Sequence, residues 1–218
     1  MRDRSLGKLA GGILWSPVLD LTRSQPSARN PNIKDFLEPF WRISPGDCLT
    51  VDNDPTFKLL YSGTTKKIRD RMNRDGHYLC KIEHINHPLV SPLCDHNFSN
   101  LPPLLIQSGM SEVFRDEAYL YAKKIYKSLN AKNSGNIKLQ LFEEMPHCFM
   151  IVPGFDKDEN CLREALIFIR KCLECGELGN GEGEEKRGGN FECYLVNTKN
   201  EIKSYTPNFK VASIPTWN

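Results

Sequence analysis

The apolar positions of this chain fall into two short runs, one alternating stretch and two helical stripes. Leu9-Ala10-Gly11-Gly12-Ile13-Leu14-Trp15 is an apolar run closed by Ser16-Pro17, the pattern of a buried strand. Leu104-Leu105-Ile106 follows Pro102-Pro103 and reads as a strand covered on both faces, with a turn at Gly109. From Asp116 to Leu129, apolar residues Ala118, Tyr121, Ala122, Ile125, Tyr126 and Leu129 recur at helical spacing. Asp116 and Glu117 suit the positive end of that helix, and Asn133-Ser134-Gly135 closes it. Asn136 to Phe142 alternates apolar and polar residues, which predicts a second strand parallel to the first across the helix. Glu159 to Cys175 predicts a final helix with Leu162, Ala165, Leu166, Ile169 and Leu173 facing inward.

Strands alternating with helices predict an α/β domain built on a parallel sheet. The other segments are less regular. Asp20 to Pro31 reads as loop, and Asn32 to Trp41 as a short helix carrying Phe36, Phe40 and Trp41. Gly176 to Asn190 is rich in Gly and Glu and predicts a disordered linker. Phe191 to Asn218 either adds a peripheral strand around Cys193–Val196 or stays a disordered tail. The expected organisation is therefore a domain over residues 1–175, a linker over 176–190 and a tail over 191–218.

Composition narrows the function classes. The 218 residues are 39% hydrophobic with a formal net charge of +2, which suits one domain with a real core and implies no nucleic-acid partner. No apolar run reaches the length of a membrane span, and Met1-Arg2-Asp3-Arg4 does not open a signal peptide. Eight cysteines are too scattered for a small disulfide scaffold. His77, Cys80, His84, His87, Cys94 and His96 fit no structural-zinc spacing, so no metal is expected. Lys66, Lys67, Arg69, Arg71 and Arg74 alternate with Asp70 and Asp75 and read as a solvated helix face.

Candidate chemistry sits after the strands. In open α/β sheets, functional residues collect past the carboxyl ends of strands. Glu112 stands there after the Leu104 strand, and His147 after the Ile137 strand. A carboxylate followed by a histidine is the chain order of the last two members of an α/β-hydrolase triad. The pieces LPPLLIQSGMSEVFRDEAYLYAKK, LQLFEEMPHCFM and GGILWSPVLDLTRSQPS resemble the hormone-sensitive-lipase-like branch of that fold, nearest the fungal steryl acetyl hydrolases.

The resemblance implies a partial α/β-hydrolase fold: the C-terminal strands and helices, with a cap-like insertion over about residues 24–100. It implies that His147 is the general base and Glu112 the acid that orients it, with Asp116 a weaker rival. It places Phe36, Phe40 and Trp41 toward the acyl pocket. It implies no cofactor, a small uncharged ester such as a sterol acetate as substrate, and the lumenal side of the endoplasmic reticulum membrane as location. Membrane contact would come through an amino-terminal half. The nucleophile is missing, however. No serine here stands in a G-x-S-x-G elbow: Ser111 follows Gly109 at the right spacing but precedes Val113. No HGGG-type oxyanion run occurs either, since Gly11-Gly12 follows Ala10. Both belong upstream of the GGILWSP strand, so the expectation is a truncated hydrolase, inactive alone. The alternative is a non-catalytic interaction protein on the same half-fold.

Overall fold

Among the described residues, five strands line up in sequence order into one sheet: β1 Gly12–Trp15, β2 Leu104–Gly109, β3 Ile137–Phe142, β4 Phe191–Val196 and β5 Ile202–Ser204. The first four are parallel and β5 pairs antiparallel with β4. The computed structural model describes residues 9–30, 32–33, 35, 80–98, 101–128, 136–152, 154–155, 158–177 and 191–213. Phe36, Phe40 and Trp41, the basic run from Lys66 to Arg74, and residues 178–190 of the expected linker lie outside the described residues.

The two faces of the sheet differ in character. One is apolar: Leu104 and Ile106 of β2, with Ile137, Leu139 and Leu141 of β3. Helix α1, Arg115–Ser128, packs Ala118, Ala122 and Ile125 against it. Each fully buried Leu or Ile contributes roughly 1.5–3 kcal/mol, so this layer is a main source of cohesion. Tyr119 is buried and Tyr126 exposed, the reverse of the periodic reading, because the Phe209 ring packs edge-on against Tyr119 at 5.6 Å.

The other face is mixed, with buried Leu105, Phe142 and Val196 above and below a row of polar residues. Register aligns Trp15, Gln107, Gln140 and Tyr194 in one row across four strands. Trp15 Nε1 donates to Gln107 Oε1 at 2.6 Å, and Gln107 Nε2 to Gln140 Oε1 at 2.9 Å. Helix α2, Asp158–Glu177, covers this row. Its Cys161 carbonyl accepts from Gln107, and its Glu164 accepts from Gln140 and Lys138. This corrects the expected orientation of α2. Ala165 is buried, but Leu162, Leu166, Ile169 and Leu173 are exposed. The side of the helix turned to the sheet carries the buried Cys161 and Ala165 with Glu164 beside them, and the leucine stripe is turned away.

Residues 191–204 settle the choice left open by the sequence. They form β4 and β5, not a tail. Phe191, Cys193 and Leu195 alternate onto the apolar face and pack against its core, which orders the segment. Tyr205 and Phe209 continue that packing, and Gln25 exchanges hydrogen bonds with the backbone of Ala212.

Candidate active site

The carboxyl ends of β2 and β3 lie side by side, with Gly109 opposite Phe142. The loops that leave them are laced together. Met110 N–H donates to the Phe142 carbonyl at 2.8 Å and Ser111 N–H to the Met145 carbonyl at 3.0 Å. Gly109 permits this approach: a Cβ there would stand 2.0 Å from the Met145 carbonyl oxygen. Glu112 follows β2 and His147 follows β3, so both reach the same end of the sheet.

Glu112 is fully buried. Its carboxyl accepts the Ser16 hydroxyl at 2.7 Å and the Ser108 hydroxyl on its other oxygen. Burial pushes its pKa up to about 8, against the pull of the two serines and the Gly109 N–H. Ser16 stands just past β1 with φ +41°, and its Oγ also accepts the Cys148 N–H at 3.0 Å. One hydroxyl thus ties the end of β1 to both the acid and the histidine loops.

His147 is half-buried, its ring edge-on to Phe114 with centroids 5.0 Å apart. Burial lowers its pKa, and the nearby Asp35 carboxylate partly opposes this. The imidazole is therefore held neutral at pH 7, the form a general base needs. Each Glu112 oxygen takes one serine hydroxyl, which fixes the carboxyl between the ends of β1 and β2.

Asp116 has a different task. Its Oδ2 accepts the Ser27 N–H at 2.8 Å and its Oδ1 the Arg115 Nε at 2.8 Å. Glu117 Oε1 accepts the Leu19 N–H at 2.8 Å. Both acids are buried and fasten the 16–30 loop to the start of α1. Ser111 is half-buried, and its backbone serves the loop contact to Met145.

Three residues at this site escaped the sequence reading. Ser16 and Ser108 cradle Glu112. Asp35 accepts the Val113 N–H at 2.9 Å and the His147 N–H at 3.4 Å, so it grips the backbone of both loops. Ser16 also follows a strand end, and the rule that singled out Glu112 could have found it. Asp35 falls in the segment whose sequence reads as a short helix, not after a strand, and nothing in the pattern marks it.

A carboxyl group and an imidazole on consecutive loops, at the carboxyl edge of a mainly parallel sheet, define the layout of an α/β hydrolase. A family model described as alpha/beta hydrolase fold matches residues 41–151, half of the chain, and the chain belongs to that family. Two solved structures are similar. One is an esterase from the bacterial hormone-sensitive lipase family, 19% identical, with a TM-score of 0.44, covering 70% of this chain and 41% of that one. The other is a hormone-sensitive lipase from a metagenome library, 20% identical, with a TM-score of 0.47, covering 79% of this chain and 44% of that one. This chain spans less than half the length of either. No curated protein matches it.

Proposed function

We propose that this chain carries the acid–base side of a serine-type carboxylic-ester hydrolase of the hormone-sensitive-lipase-like branch. The observation that supports it is the placement of Glu112 and His147 on laced loops after adjacent parallel strands. In this reading His147 takes the proton from a serine hydroxyl as that oxygen attacks the ester carbonyl, and returns it to the leaving alcohol. Glu112, once its own proton has left, stabilises the imidazolium in between. The serine comes from a G-x-S-x-G segment that these 218 residues do not contain. A short acyl ester, such as a sterol acetate, is the substrate class, and the chain alone turns over nothing.

The test has two arms. The isolated chain is expected to hydrolyse p-nitrophenyl acetate no faster than its His147→Ala variant, and a fluorophosphonate probe to leave Ser108 and Ser111 unlabelled. Losing the nucleophile and the oxyanion donors together removes far more than the roughly hundred- to thousandfold of one donor. Fusing the serine-bearing half of a hormone-sensitive-lipase-family esterase ahead of Met1 is expected to yield hydrolysis that vanishes with His147→Ala. A fusion that folds but stays inert would sink the acid–base reading. A second reading, a non-catalytic interaction protein, is favoured by the serine cradle that binds both oxygens of Glu112 and by the exposed stripe on α2.

A further inference from the structure

His147 has a second carboxyl group beside it. Asp35 is buried; one of its oxygens accepts the His147 N–H at 3.4 Å and the other the Val113 N–H at 2.9 Å. It is thus fixed between the histidine loop and the residue that follows Glu112. Its own segment is anchored at the same place. Ile33, two residues earlier, packs in one cluster with Val113 and Phe114. The Phe114 ring in turn lies edge-on to the His147 imidazole. A carboxylate gripped from both sides keeps its distance from that ring, and in a half-buried site its field is screened less than in water.

Among the described residues, the titratable groups around His147 are Asp35 from this segment, Glu112 from the loop after β2, and Cys148 on the histidine's own loop. They differ in the charge they bring. Burial pushes the Cys148 thiol up, so it stays neutral. Glu112 is fully buried between two serine hydroxyls, and burial raises its pKa to about 8, so at pH 7 it mostly holds its proton. Asp35 accepts two backbone N–H groups, the bonding that suits an ionised carboxylate. It is also the group that opposes the effect of burial on His147.

We propose that Asp35 is a positioning residue for His147, supplying at neutral pH the negative charge that steadies the imidazolium. The proposal rests on reading His147 as the base. The proton taken from the serine stays on the imidazole until the leaving alcohol receives it, and Asp35 acts through its charge and its grip on the loop. Glu112 divides the work by pH: below about 8 it fastens the ends of β1 and β2, and above that it adds a second charge.

The test reads the histidine and not hydrolysis. In the full chain carrying isotope-labelled histidine, the His147 resonance is identified by its loss in His147→Gln, and its titration midpoint is followed by NMR. Asp35→Asn is expected to lower that midpoint by about one pH unit. Glu112→Gln is expected to move it by less than about 0.3 unit, because the group it replaces is already uncharged where the histidine titrates. Should Asp35→Asn not fold, Asp35→Ser keeps an acceptor for one N–H and is read the same way. Should neither fold, Glu112→Gln decides. A midpoint that stays in place without the Asp35 charge, or that falls by about one unit in Glu112→Gln, would overturn the proposal and leave Asp35 a clamp between two loops. Failure of the base reading looks different: the fused enzyme would stay inert while Asp35→Asn still shifted the midpoint.

Discussion

Gly109 shows how much a single residue decides at this site. It ends β2, and the space where its side chain would be is occupied by the carbonyl of Met145. The obstacle is backbone, so it cannot swing aside as a side chain would. Gly109→Ala is expected to cost about 3 kcal/mol or more, since overpacking here must push the acid and histidine loops apart. Urea denaturation measures it, and a loss under about 0.5 kcal/mol would mean the loops are not held as described. The same substitution is expected to move the His147 imidazole resonance, because the contact it breaks positions that loop. Ser16 works at the same scale. Its hydroxyl gives its proton to Glu112 and accepts one from the Cys148 backbone. Asp35 closes the arrangement from the other side, with one oxygen on each loop.

At the scale of elements, the row Trp15–Gln107–Gln140 does what hydrophobic contact does on the opposite face. Gln107 is wholly buried, and its amide group meets Trp15, Gln140 and the Cys161 carbonyl. It ties β1, β3 and α2 to β2 at one point. Gln107→Leu keeps the volume but leaves the Trp15 N–H and the Cys161 carbonyl without their partner. A cost of about 2–3 kcal/mol is expected from the stranded polar groups. Adding Gln140→Leu is expected to cost less than the sum of the two single changes, because each removes the other's partner. Strict additivity in thermal or urea unfolding would show that the row does not act as a unit. This polar row also explains the set of α2, which directs Glu164 toward Lys138 and Gln140 and leaves its leucines outside.

The whole molecule carries a pH dependence that its net charge does not reveal. Burial raises the pKa of Glu112 from 4.5 to about 8 and holds Glu117 well above the usual carboxylate range. Folding therefore favours the protonated acids. For Glu112 that contribution is fully present below about pH 4.5 and is lost as pH climbs through about 8. Stability is expected to fall across that interval by a few kcal/mol, with Glu117 acting in the same direction. Glu112→Gln removes the titrating group and is expected to flatten the decline in melting temperature between about pH 5 and pH 9. A variant whose melting temperature falls as steeply as the wild type's would show that Glu112 is not the group responsible.

The amino-acid sequence by itself determined the order of strands and helices, the parallel pairing of β2 with β3, and the stations of Glu112 and His147. These follow from local periodicity and from the rule that loops after parallel strands gather at one edge. It also determined that these 218 residues contain no G-x-S-x-G, because that signal is a contiguous motif. Only the tertiary structure decided which side of α2 faces the sheet. A helical stripe of leucines announces that it will be covered, not by what, and the polar row on the sheet comes from residues on three separate strands. Tertiary packing also decided that 191–204 would form strands, since β3 offers an edge and the apolar core a surface for Phe191, Cys193 and Leu195. And it alone brought Ser16, Ser108 and Asp35 to the acid and the histidine. Such contacts span from four residues to more than a hundred along the chain, and their pairing is fixed only once the strands are in register.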